Sequence, residues 1–321
     1  MRKTGNNIAG FSYRPGRRDP TFFLLPHGDR DQPMRSRYTP LRPGAGEVIF
    51  RRPTREEVTG PGLLAADLHV HTNHSDAPTR VRDALKFAAR QGIGLAITDH
   101  NQVSGSLEAC RAGTTVPVVP GIEVSADDGP HLLLYFAAPS DLRDFYTRHI
   151  ERKKRDGPFI AIKMATEELL DAREGYHCVA VEAHPCGYAL LNRGIRRGRG
   201  SAGIFSRLDA LEVISGGMAR MHNLKAVALA RRYGLGQTGG TDAHLLRDIG
   251  GVVTCATAWT VEEFLDAIVR RKTAVIGQET SVLRKAVMGA AVLPHHLPYT
   301  LPILRDRGEH LLTLVRSRQR P

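Results

Sequence analysis

From residue 63 onward, four short apolar runs in this chain carry or run into a histidine or a carboxylate. "LLAADLHV" (63–70) delivers His69 and passes at once to His71, "IGLAIT" (93–98) runs into His100, "GIEVSA" contains Glu123, and "HCVAVEAH" closes on His184. Runs of this length, bounded by turn residues, predict strands. Between them lie stretches with helical spacing. In "TRVRDALKFAARQG", Val81, Ala84, Leu85, Ala88 and Ala89 share one face, and Gly92 stands where a C-terminal cap belongs. "TVEEFLDAIVRRK" opens with Thr260 and Glu263 as a capping-box pair and ends in basic residues that suit a helix C-terminus. The alternation predicts parallel βα units. In a parallel barrel, functional groups gather on the face where the strands end. Four strands that send His or Glu to one face therefore define a site.

The first of these segments narrows the chemistry. In "DLHVHTNHSDA" (67–77), His69 and His71 lie two apart on a strand and so point to one side, and Asp76 follows in the loop. Paired neutral imidazoles are a common start to a metal site. Farther on come "TDHN" with His100, "GIEVS" with Glu123, "GPHLLLY" with His131, "EAHP" with His184, and "GGTDAH" with Asp242 and His244. Six histidines and three carboxylates exceed what one ion needs. A carboxylate such as Glu123 can bridge two ions, and paired ions stabilise both oxygens of a phosphoryl transfer. Histidine with carboxylate and no thiolate suits Mn, Zn or Fe.

The rest of the chain sets the frame. The net charge of +12 is not spread evenly: residues 1–66 carry +6, residues 281–321 carry +5, and residues 67–280 only +1. Basic ends can help capture acidic partners, but charge placed there does not by itself show a nucleic-acid groove. Eight of the 19 prolines fall in residues 1–66, which predicts irregular structure there. The four cysteines are widely separated and form no CxxC pair, which fits a reducing compartment better than a disulfide framework. Without a signal pattern or a membrane-length apolar run, the expectation is a soluble, cytoplasmic protein with no membrane partner and an unassigned oligomeric state.

Taken in order, "DLHVHTNHSDA", "AITDHN", "GIEVS", "PHLLLYF", "EAHP" and "GGTDAH" resemble the PHP (polymerase and histidinol phosphatase) family of metal-dependent phosphoesterases over about residues 67–280. The resemblance implies an α/β fold, a distorted (β/α)7 barrel, with two or three divalent ions. It implies that His69, His71, Glu123 and Asp242 hold the first ion, Glu123, His131 and His184 the second, and Asp76, His100 and His244 the third. The expected layout is a basic N-terminal extension (1–62), a PHP domain (63–280) and a C-terminal extension (281–321). The expected activity is hydrolysis of a phosphate ester of a small metabolite or nucleotide by metal-activated water, with Asp76, Glu123 and Asp242 as catalytic carboxylates. A 5′–3′ exonuclease on short oligonucleotides is the second reading. The basic ends mildly favour it, while the 6% aromatic content offers little base-stacking platform. A non-catalytic metal-binding regulatory or scaffold module is the third, and the complete ligand set weighs against it. Only 52 residues separate His131 from His184, where nucleotide-acting family members often carry a larger cap, and Thr241 stands where Ser is commoner.

Other residues receive plainer readings. Asp67 and Asp99 are expected to orient ligands or backbone groups from behind. His74 reads as a solvated loop residue, His222 as structural, and His295 and His296 as surface. Cys186 is at most sensitive to oxidation. "RHIERKKR" (148–155) reads as the solvated face of a helix. Arg193, Arg196, Arg197 and Arg199 in "NRGIRRGRG" are candidate phosphate contacts, because a guanidinium matches phosphate with a planar fork.

Overall fold

The computed structural model describes residues 44–157, 160–187, 194–195 and 201–299. The chain divides into two units, Met1–Thr39 and Pro40–Pro321, and the described residues all lie in the second.

The order of elements is β1 (Val48–Ile49), α1 (Arg55–Val58), β2 (Leu63–Val70), α2 (Val81–Gln91), β3 (Gly94–Ile97), α3 (Ser104–Arg111), β4 (Gly121–Ser125), β5 (His131–Phe136), α4 (Pro139–Phe145), α5 (Thr166–Ala172) and β6 (Cys178–Glu182). It continues with α6 (Ser201–Phe205), β7 (Ala210–Ser215), α7 (Arg220–Tyr233), β8 (Gly236–Gly240), β9 (Val252–Thr257), α8 (Val261–Val269), β10 (Ala274–Gly277) and α9 (Val282–His296). The Gly92 cap read from the sequence is in place, and half of the Thr260–Glu263 capping box forms, the Glu263 carboxylate accepting instead from the Trp259 amide at 2.7 Å. Gly92 ends α2 at φ +73°, and the Thr260 hydroxyl accepts the Glu263 amide proton at 3.1 Å. Helix α4 runs on through a π-helical turn, Tyr146–Ile150, and a 3-10 turn, so the helical stretch that includes "RHIERKKR" changes winding partway. Among the described residues, no helix is long and apolar enough to cross a membrane.

Among the described residues, the strands form two five-stranded sheets, ordered β1-β10-β9-β2-β3 and β4-β5-β6-β7-β8. The architecture is mixed α/β, and the hydrogen-bonded ladders do not close into a barrel. Nor is the sheet purely parallel as the βα alternation predicted. Strands β2–β3, β6–β7, β7–β8 and β1–β10 pair parallel, whereas β4–β5, β5–β6, β2–β9 and β9–β10 pair antiparallel. For β4 and β5 the reason lies in the connection: the short loop 126–130 cannot hold a crossover helix and turns the chain straight back.

The two sheets are linked by isolated bridges, Leu95 with Val118 and His100 with Glu123 on one side, Val70 with Ala243 on the other. The Tyr135 hydroxyl, fully buried on β5, donates to the Leu68 carbonyl on β2 at 2.7 Å and fixes the separation of the sheets. Strand ladders slip register at two places, between Asp67 and Val70 on β2 and between Glu212 and Ile214 on β7. Such irregularities re-aim side chains, and both lie at the polar site.

Candidate metal centre

His69 leaves the end of β2 fully buried. Its Nδ1 lies 3.0 Å from Glu212 Oε1 on β7, so the carboxylate accepts a hydrogen bond from Nδ1–H and Nε2 faces inward. Around that nitrogen stand His71 Nε2 at 3.1 Å, Glu123 Oε2 at 3.3 Å and Asp242 Oδ1 at 3.6 Å. His71 Nε2 is itself 3.3 Å from both carboxylates. Ligand atoms held about 2.1 Å from one ion stand roughly 3.0 to 3.4 Å apart, depending on octahedral or tetrahedral geometry. The distances from the two imidazole nitrogens to each other and to the two carboxylates thus lie near the edge lengths of a coordination shell.

Glu123 sits on β4 at the middle of the cluster. Its Oε1 contacts His131 Nδ1 at 2.9 Å and His184 Nε2 at 3.2 Å, and its Oε2 contacts His100 Nδ1 at 3.0 Å. At the other end, Asp76 Oδ2 lies 3.0 Å from His244 Nε2 and 3.7 Å from His100 Nε2. All nine residues named from the sequence fall within four overlapping groups whose donor atoms lie within 4.8 Å of one another. These are His69, His71 and Asp242; His69, Glu123 and His184; His100, Glu123 and His131; and His71, Asp76, His100 and His244. The backbone bends to achieve this. Asp242 (φ +53°) and His184 (φ +32°) both occupy left-handed conformations that side chains rarely adopt, a strain that concentrates at functional sites.

The carboxylates behind the cluster hold it in shape. Asp67, aligned with His69 and His71 along β2, accepts from the Thr241 amide at 2.9 Å, the Thr241 hydroxyl at 2.6 Å and the Gly250 amide at 2.9 Å. It therefore pins the loop that carries Asp242. Asp99 accepts from the Thr72 amide and hydroxyl, both at 2.7 Å, and from Ser75 at 2.6 Å, which fixes the Asp76 loop. Burial pushes the Asp67 carboxyl up to about 6 despite those donors.

Charge in the cluster is finely divided. Burial opposes the charged form of His244, but Asp76 and then Asp242 outweigh it and push its pKa up to about 10. His69 is likewise buried, yet Glu212, Glu123 and Asp242 raise it well above the ordinary value. Burial pushes His100 the other way, down to about 3. In the metal-free protein, protons on some imidazoles thus balance the buried carboxylates. Each such proton must leave before its nitrogen can bind a cation. Because His69 and His244 hold protons through neutral pH, metal affinity should rise with pH, by up to about tenfold per unit for each proton displaced. Chelator competition at pH 6 and pH 8 checks this, and a flat affinity would contradict it.

The donor set fits divalent metal binding. Glu123 Oε2 is buried with no hydrogen-bond partner while facing three imidazole nitrogens at 3.0 to 3.3 Å, and His71 Nδ1 is buried and likewise without one. Buried polar atoms left this way call for an explanation, and an ion supplies it.

Two residues that bear on the site were not expected there. Glu212 is the carboxylate of the otherwise apolar "ALEVIS" strand, and besides His69 it holds the His184 amide at 2.8 Å. A lone charge inside a buried strand was the available signal. His296, read as surface, is only 34% exposed, and its Nε2 lies 3.4 Å from Asp76 Oδ2. Nothing in a Pro-flanked tail sequence points to that contact. His74 is also more engaged than expected: its ring lies 2.8 Å from the Ser104 hydroxyl and 3.0 Å from Glu108, tying the ligand loop to α3. Arg193, Arg196, Arg197 and Arg199 lie outside the described residues.

A mixed α/β fold with a histidine–carboxylate cluster at its strand ends is the arrangement of a metal-binding hydrolytic domain. The chain belongs to the PHP family: residues 67–211 match the PHP domain and residues 220–273 the PHP-associated segment, together more than half of the chain. PHP domains bind divalent metals. Among solved structures the chain is similar to PsfC from Pseudomonas syringae, at 17% identity and TM-score 0.53, over 73% of this chain and 98% of that one. It is also similar to the lesion-specific endonuclease PfuEndoQ from Pyrococcus furiosus, at 16% identity and TM-score 0.53, over 66% and 57% of the two chains. A two-domain protein from Bacteroides vulgatus containing a predicted PHP-like metal-dependent phosphoesterase gives 14% identity and TM-score 0.52, over 72% and 69%. Likeness at these identities concerns the fold. An error-prone DNA polymerase from Symbiobacterium thermophilum is 38% identical over 77 residues, which are 22% of this chain and 7% of the polymerase. The chain thus matches only a small part of that relative.

Proposed function

We propose that the protein hydrolyses a phosphate ester of a small metabolite or nucleotide, using two or three divalent ions (Mn, Zn or Fe) held by the nine-residue cluster. The observation that carries this reading is Glu123, one buried carboxylate whose two oxygens face separate sets of imidazoles, as a bridging ligand requires. On this reading His69, His71, Glu123 and Asp242 hold the first ion, Glu123, His131 and His184 the second, and Asp76, His100 and His244 the third. When bound, the ions supply Lewis-acid stabilisation of phosphate oxygens and lower the pKa of water towards about 7. The chain's part is to fix the donors. Glu212 sets the His69 tautomer, Asp67 and Thr241 hold the Asp242 loop, and the sheets keep water from the rear of the site. Substrate enters where Asp242, His100, His131 and His244 reach solvent, with side chains 11 to 19% exposed.

We infer the same for the architecture. The isolated bridges Leu95–Val118, His100–Glu123 and Val70–Ala243 would link β2 through β8 into a distorted seven-stranded barrel, with the cluster at one end.

Hydrolysis of oligonucleotides by the same centre is the second reading. It is favoured by the basic ends of the chain and by likeness to proteins described as a polymerase and a lesion-specific endonuclease. Metal-loaded protein should turn over an aryl phosphate monoester, and Asp242→Ala should lose roughly 10³-fold in rate together with bound metal. Turnover of the diester alone would favour the oligonucleotide reading. Full activity in Asp242→Ala would overturn the ligand assignment.

A further inference from the structure

Helix α9 (Val282–His296) begins beyond both segments matched to the family, the second of which ends at residue 273. The helix is firmly seated. The Ser281 hydroxyl caps its start by accepting the Arg284 amide proton, Lys285 Nζ donates to the Met218 carbonyl at 2.9 Å, and Arg284 approaches Asp248 at 3.7 Å. Lys285, Met288, Val292 and His296 are buried or half-buried, whereas Val282, Leu283 and Leu293 are exposed. Residues three, four and seven apart share a face, so one stripe of α9 faces the domain.

That stripe ends at the metal cluster. Three imidazole nitrogens surround Asp76 Oδ2: His244 at 3.0 Å, His296 at 3.4 Å and His100 at 3.7 Å. Two of them, those of His244 and His100, belong to a group of mutually close donors, together with His71. His296 belongs to none of the groups although it reaches Asp76, so it stands at the margin of the cluster. A hydrogen-bond donor in that position does for a carboxylate what Glu212 does for His69: it fixes which way the ligand points.

We propose that His296 is a positioning residue for Asp76, and that the C-terminal helix thereby sets the affinity of one ion in the centre. The inference rests on the reading of Asp76 as a metal ligand. It adds a dependence on residues outside both matched segments.

The test is titration of the metal-depleted full chain with Mn2+, recording stoichiometry and affinity by chelator competition for the unaltered protein, Asp76→Ala, His296→Ala, His296→Gln and His295→Ala. His296→Ala should weaken one ion by about 10-fold or more and leave the others unchanged, as outer partners of metal ligands generally do. His296→Gln, which keeps a donor, should restore part of that loss, and His295→Ala should match the unaltered protein. Unchanged melting of metal-depleted His296→Ala separates a lost hydrogen bond from a lost helix. Affinity in His296→Ala equal to that of the unaltered protein would overturn the inference, as would equal weakening of every ion or the same loss in His295→Ala. Asp76→Ala binding every ion normally would instead show that the ligand reading itself is wrong.

Discussion

Glu123→Gln should abolish hydrolysis and strip metal from the centre, although the two side chains have nearly the same shape. In the native chain both Glu123 oxygens face imidazole nitrogens, Oε1 those of His131 and His184, Oε2 those of His69, His71 and His100. Its pKa is governed by the same neighbours. Burial opposes ionisation, but His100, His69 and His131 hold the carboxyl well below the ordinary range. An amide removes the negative charge and turns one acceptor into an NH2 group that repels a cation. No nearby carboxylate can take over both roles. A rate loss of roughly 10³-fold, with metal content falling in parallel, is the expected result. Elemental analysis beside ester turnover reads it directly. Retention of full metal content and most of the activity would mean that Glu123 does not bridge ions.

Gly240→Ala should be nearly as damaging, by a purely steric route. Gly240 ends β8 where that strand passes against β2, and an added Cβ would fall on His69 Cβ and within 2.5 Å of the His69 backbone nitrogen. Neither neighbour is the movable tip of a side chain. Relief requires the strands to part, which costs about 3 kcal/mol, the upper end for overpacking. Strand separation also drags His69 away from Glu212 and the other donors, and misplacement by about 1 Å is enough to lose 10²-fold in rate. Thermal melting of the metal-depleted variant reads the first effect, and metal affinity reads the second. A variant that melts with the native protein and binds metal normally would show that the contact yields more easily than its geometry indicates.

The cluster of donor residues that the fold brings together was legible in the sequence because metal chemistry calls for residue types that a buried strand would otherwise reject. His69, His100, Glu123 and His184 each interrupt or end an apolar run. The sheet was less legible. Apolar runs of four to six residues mark β4 and β5 as strands but do not carry their direction, which is decided by a five-residue connection. Glu212 was visible as a charge inside "ALEVIS", yet its role depends on β7 lying opposite β2, a long-range pairing of faces. His296 had no local signal at all. It reaches Asp76, 220 positions away in the chain, only because α9 folds back over the domain.

The placement of Glu123 has a consequence for how damage to this protein will be read. His69 and His71 come from one sheet and Glu123, His131 and His184 from the other, so bound cations would act as rivets through two plates. Anything that loosens the plates will present itself as poor loading, and poor loading will present itself as a weakened plate. Screens that score turnover alone would therefore file structural lesions at the seam under catalysis, and only variants compared with and without their ions would sort the two.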